Sequence, residues 1–169
     1  MFRHHAGEDP LDQLAFMSDQ GFRGFEDNDM KKRPVKLQEK MGRLMADRDM
    51  QMGVFVAHTI AWSEPNLASG DPVMRGRFLD EIRESVEVAQ RVGATWMTVV
   101  PGHLDLRQSM GYQTSHVVES LKRACEIHTE RGFEQNSGVS INVRCCQGGE
   151  SGGKACIPYK TTSFQNRYL

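Results

Sequence analysis

Two short apolar runs, each ending in a histidine and each set between segments of helical period, most constrain what this chain can fold into. They read Val54-Phe55-Val56-Ala57-His58 and Val99-Val100-Pro101-Gly102-His103. Runs this short, flanked by helical patterns, suit strands buried on both faces, the type found in parallel sheets. Strands that alternate with helices imply right-handed crossovers. In such sheets chemistry gathers at the carboxyl ends of the strands, and both imidazoles stand there.

The segments between the runs carry their own punctuation. Asp9-Pro10 opens a helix, with Asp as cap and Pro in the first turn. Leu11, Leu14 and Met17 supply its apolar face, and Gly21 follows as a stop. Phe22 to Phe25 reads as a short strand ending in the acidic cluster Glu26-Asp27-Asn28-Asp29. Pro34 opens a second helix with Leu37, Met41, Leu44 and Met45 as its buried stripe, and Met50 to Ala57 is the next strand. Asp71-Pro72 repeats the helix start. Met74, Phe78, Ile82, Val86 and Ala89 then recur at helical spacing up to Gly93, placed as a C-terminal cap. Ala94 to Val100 is a further strand. A fourth helix is expected from about Gln113 to His128, with Val117, Leu121, Ala124 and Cys125 inward.

After Thr129 the pattern stops. Arg131 to Leu169 holds six glycines and no sustained period, and Gln147-Gly-Gly-Glu-Ser-Gly-Gly153 is loop-like. Val139 to Val143 offers only a weak strand signal. The expected division is therefore an α/β domain over 1–129 and an irregular tail over 130–169.

Composition excludes several classes. A net charge of -1 gives no general attraction to nucleic acid or an anionic membrane. No apolar stretch approaches the roughly 20 residues of a membrane span. Met1 to Gly7 has no apolar signal core, so the cytoplasm is the expected compartment. Of the four cysteines, Cys145 and Cys146 are adjacent, without the spacing of a metal site, and the thiols read as incidental. The ten methionines read as adaptable core packing.

Several runs together carry a family resemblance: Asp9-Pro-Leu-Asp-Gln-Leu-Ala-Phe-Met17, Gly24-Phe-Glu-Asp-Asn28, Met52-Gly-Val-Phe-Val-Ala-His58, Trp96-Met-Thr-Val-Val-Pro-Gly-His103 and Arg107-Gln-Ser-Met-Gly-Tyr-Gln113. They resemble the hydroxypyruvate isomerase-like branch of the xylose isomerase-like sugar isomerases and epimerases, over about residues 1–128. The resemblance implies a partial (β/α)8 TIM barrel, strands two to four with their helices, of a fold that typically needs about 250 residues. It implies aldose–ketose proton transfer through an enediol on a sugar or keto acid. A divalent metal, Mg or Mn, would polarise the carbonyl while paired glutamates move the protons. The family's glutamate-ended fifth strand and the later metal ligands have no counterpart here. The resemblance therefore implies a chain with little or no turnover by itself.

The same resemblance assigns His58, His103, Glu26, Trp62 and Gly102 to the substrate pocket. His58 would bond a substrate hydroxyl or share in proton handling; its plain alternative is a strand-end histidine satisfying a local backbone group. His103 reads the same way, although Pro101-Gly102 also suits a plain turn. Glu26 would contact substrate from the second strand's tip, against the alternative of a solvated acidic turn. Trp62 would wall the pocket or pack on the rim, and Gly102 would give the backbone freedom beside a substrate. His4 and His5 read as an exposed pair, His116 and His128 as helix residues without chemistry.

Two other readings compete. A non-catalytic βα fragment with open sheet edges would associate with itself or another chain. A zinc-dependent endonuclease of the same barrel superfamily would hold its metal on strand-end histidines. The near-neutral charge favours a small-molecule partner over nucleic acid.

Overall fold

The computed structural model describes residues 2–59, 63–130 and 140–143, with side chains through 127. Trp62, Cys145, Cys146, Cys156 and most of the 130–169 run lie outside the described residues. In order, the elements are α1 (Arg3–Ala6), α2 (Pro10–Asp19), β1 (Gly24–Phe25), a 3-10 turn (Met30–Lys32), α3 (Val35–Asp47), β2 (Gln51–Met52), β3 (Val54–Val56), α4 (Pro72–Val92), β4 (Trp96–Val99), α5 (Met110–Glu130) and β5 (Ser140–Val143).

Local chemistry sets the helix ends as expected. Asp9 accepts from Leu11 N–H and Asp71 from Val73 N–H, each at 2.8 Å, with Pro next in the chain. Gly93 closes α4 in the left-handed region at φ 67. α5 starts earlier than the apolar period suggested, because Ser109 Oγ accepts from Tyr112 N–H and catches the first turn. Cys125 is exposed rather than inward. The buried stripe runs Val117, Ala124, Ile127, and one further residue past Ala124 turns the side chain about 100° away.

All strand pairings are parallel. β1 pairs with β2, β3 with β4, and β4 with β5. β2 and β3 are one stretch interrupted at Gly53, so the strands lie side by side in chain order. The Glu26 side chain crosses Gly53, where an added Cβ would stand 2.8 Å from its Cγ. β5 belongs to the run expected to be irregular. Its pairing with β4, Met97 beside Ile141 and Val99 beside Val143, carries the sheet one strand further than the periodicity predicted.

Alternation along the strands divides the sheet into two faces. Met52, Phe55, Met97 and Val99 are buried in one core with Leu14, Met41, Met45, Phe78, Ile82, Val86 and Val117 from the helices. The methionines behave as expected, seven of the ten being buried in this core or its margin. The opposite face carries Val54 beside Trp96 and Val56 beside Thr98. Thr98 is buried there, but both valines are half-buried and Trp96 is 41% exposed. Among the described residues no helix is long and apolar enough to cross a membrane.

Candidate functional site

Because the strands are parallel, the residues that follow β1, β3 and β4 emerge at one end of the sheet. These are Glu26 to Asp29, Ala57 to Thr59, and Val100 to His103. The topology thus brings Glu26, His58 and His103 to the same rim, while their side chains take different courses.

His58 is fully buried. Its ring meets Phe78 of α4 edge-on at 5.1 Å, and Nε2 accepts Val100 N–H at 3.1 Å. A nitrogen that accepts an N–H carries no proton itself. Burial pushes the imidazole down from 6.5 to about 4. His58 is therefore neutral near pH 7 and ties the end of β3 to the end of β4.

His103 and Glu26 are exposed at the rim. His103 is held through its backbone, its N–H donating to Glu64 O at 2.9 Å. Leu67 N–H donates to Pro101 O at 3.1 Å, and Pro65 forms an antiparallel bridge with Gly102. The loop after β3 thus lies as a strap across the end of β4. Gly102 has φ +84, and a Cβ there would stand 2.4 Å from Glu64 O and 2.9 Å from Asn66 Cβ. What closely approaches Gly102 in the structure is this strap. The next segment is clamped by buried Gln113, which accepts from Asp105 N–H and donates to the Asp105 and Gln108 carbonyls at 2.8–3.0 Å.

The acidic cluster is partly self-satisfied. Asp27 pairs with Arg33 and Asp29 with Lys32. His4 and His5 are exposed on α1, His5 stacking on Phe16 at 5.5 Å. His116 Nδ1 accepts from the Arg75 guanidinium at 3.0 Å, a contact between α4 and α5, and the His116 ring lies against Tyr112.

Lys31 was not singled out by its sequence context, and it occupies a central place here. Its ammonium donates to Ala57 O at 3.2 Å, Glu81 O at 3.1 Å and Glu81 Oε2 at 3.0 Å, with Glu84 Oε2 at 3.3 Å. The Glu81 carboxylate also accepts Thr59 N–H at 3.1 Å, and Ser85 Oγ donates to Ala57 O at 2.6 Å. An open cleft of about 400 Å³ lies beside this pair, lined by Asn28, Lys31, Val56, Thr59, Glu81 and Glu84. A charge every few residues on α4 reads from sequence as a solvated face. Only the 50-residue separation of Lys31 and Glu81 in sequence, closed by the fold, gives it a role at the rim.

Among the described residues no three His, Cys, Asp or Glu side chains converge as a metal-binding group. The donor set that Mg or Mn would need is not offered by these described residues. The rim can donate and accept hydrogen bonds to a small polyhydroxy ligand, through exposed His103 and Glu26 and the polar wall of the cleft.

The xylose isomerase-like TIM barrel family profile matches residues 14–152. The chain belongs to the xylose isomerase-like TIM barrel family. The match passes the expected limit near residue 128 and takes in β5. Among solved structures, an AP endonuclease, family 2, from Brucella melitensis is similar at TM-score 0.63 and 13% identity, covering 85% of this chain and 51% of that one. A D-psicose 3-epimerase with D-tagatose from Clostridium cellulolyticum H10 is similar at TM-score 0.59 and 13% identity, covering 79% and 46%. A D-psicose 3-epimerase in the presence of D-fructose reaches TM-score 0.57 at 11% identity, covering 80% and 46%. These identities carry the barrel fold alone, and the chain spans about half the length of each. No curated protein matches it by sequence.

Proposed function

We propose that this chain forms one wall of a sugar or keto-acid pocket of the hydroxypyruvate isomerase type, in a cytoplasmic protein. The observation that carries the reading is the convergence of the Glu26, His58 and His103 segments on one end of a parallel sheet. Strand ends of this polarity are where barrels place their chemistry. The net charge of -1 favours a small ligand over a nucleic acid duplex, whose phosphates demand a basic face.

In this reading His103 and Glu26 contact the ligand, because they are the exposed side chains at the rim. Trp62 stands in the same loop as the strap and would cover the ligand's apolar side. His58 acts through the backbone it holds, fixing Val100 and so the Pro101-Gly102-His103 turn. The Lys31–Glu81 pair fixes Ala57 and Thr59 from the other side. The proton transfer implied by the resemblance uses a metal beside paired glutamates, and the described rim offers no converging metal-binding group, so turnover by the chain alone is expected to be small.

Saturation-transfer NMR with hydroxypyruvate and D-fructose tests the reading. Weak binding that His103→Ala removes is expected. Absence of binding to either compound would refute it. Assays with added Mg or Mn read turnover separately, and conversion well above a metal-only blank would overturn the expectation of low activity.

A further inference from the structure

The turn after β1 carries a cation that holds the end of another strand. Lys31 lies in the 3-10 turn Met30–Lys32, and its ammonium has four oxygens at 3.0–3.3 Å. Two are backbone carbonyls, Ala57 O just past β3 and Glu81 O in α4. Two are carboxylate oxygens, one each from Glu81 and Glu84. An ammonium has three N–H groups to donate. The oxygens outnumber them, so the cage is built around a charge.

The Lys31 side chain is 16% exposed. A charge held that far from water is retained when paired, and removing one partner leaves the others uncompensated. Here the others include the backbone of the rim. Glu81 Oε2 also accepts Thr59 N–H at 3.1 Å, and Ala57 O accepts Ser85 Oγ at 2.6 Å. His58 stands between Ala57 and Thr59, its ring bonded to Val100 N–H. The described strand pairings tie β1 to β2 and β3 to β4. Beyond Gly53, the joint between the turn after β1 and the end of β3 is made by this ammonium.

We propose that Lys31 is a positioning residue that works as a tethered cation. The Glu26 and His58 segments keep their places only while a cation fills the oxygen cage beside the cleft. The consequence for a ligand rests on the proposed pocket; the consequence for the rim does not.

Chemical rescue of the full chain tests it. In Lys31→Ala, Thr59 N–H is expected to exchange with solvent about tenfold faster or more. The open cleft of about 400 Å³ admits a small amine to the vacated cage. Methylammonium chloride is expected to restore protection, and tetramethylammonium chloride at equal concentration, with the same charge and no N–H, is not. Lys40→Ala, on an exposed position of α3, leaves Thr59 exchange unchanged. If Lys31→Ala does not fold, the wild type decides: by NMR its Lys31 ammonium protons should exchange more slowly than those of Lys40. Equal rates for the two lysines, unchanged Thr59 protection in Lys31→Ala, no rescue, or equal rescue by both salts overturns the proposal. Hydroxypyruvate binding should fall in Lys31→Ala and return with methylammonium, and unchanged binding in the variant overturns the positioning role. A wild type that binds neither hydroxypyruvate nor D-fructose sinks the functional reading and leaves the cation cage standing.

Discussion

The burial of His58 makes stability depend on pH in a calculable way. The imidazole titrates near 6.5 when exposed and at about 4 in the fold. Between those values the unfolded chain holds a proton that the folded chain lacks, so acid favours unfolding. Stability from this group is fully present above pH 6.5 and is lost as pH falls through 4. The shift corresponds to about 3 kcal/mol in all, of which about 2 kcal/mol is gone by pH 5. That is a large fraction of the ~5–15 kcal/mol typical of a folded domain.

The assay is urea unfolding of the wild type and His58→Gln at several pH values from 7 to 5, where most carboxylates stay ionised. Glutamine fills part of the site and does not titrate. At pH 7 the variant is expected to be less stable by about 1–3 kcal/mol, from the disturbed Val100 hydrogen bond and Phe78 contact. Toward pH 5 the gap should narrow by about 2 kcal/mol, because only the wild type suffers the protonation penalty. All other titrating groups are common to both chains and cancel in the difference. Parallel stability curves over this range would show that His58 is not buried and neutral, and the reasoning would fail.

Three further outcomes follow from close contacts and caps. Gly102→Ala places a Cβ 2.4 Å from Glu64 O at φ +84, and a loss of about 1–3 kcal/mol in the urea midpoint analysis is expected. Gly42→Ala on α3 puts a Cβ 2.2 Å from the Arg91 carbonyl at the end of α4, and thermal melts should show a drop of similar size, with α3 and α4 pushed apart. Asp71→Ala removes the acceptor for Val73 N–H and should cost about 1 kcal/mol by chemical unfolding, without changing the m-value.

Elements whose causes are local were legible. Asp9-Pro10 and Asp71-Pro72 announce helix starts because the cap and its N–H are two residues apart. Gly93 announces a stop because only the left-handed region closes that turn comfortably. β5 was only faintly legible, because its order comes from β4, more than 40 residues earlier. Ser140-Ile-Asn-Val143 is too short to carry a period of its own. The close approach at Gly53 was hidden for the same reason, since the Glu26 side chain that makes it arrives from the end of β1.

The candidate site divides along the same line. Strand polarity put His58, His103 and Glu26 on one rim, and polarity follows from the βα alternation. Side-chain direction does not. His58 turns into the helix layer because Phe78 and the Val100 N–H offer it an edge and a donor, and both belong to other elements. Lys31 reaches the rim because Glu81 and Glu84, half a domain later, form the acceptors that hold its charge. Half-buried charges are retained only when paired, so a lysine beside a strand end is informative once its partner is known. Val54, Val56 and Trp96 follow the opposite logic: their apolar run reads from sequence as a strand buried on both faces, and the structure leaves the two valines half-buried and Trp96 exposed, because burial of that face depends on what packs against it and not on the run itself.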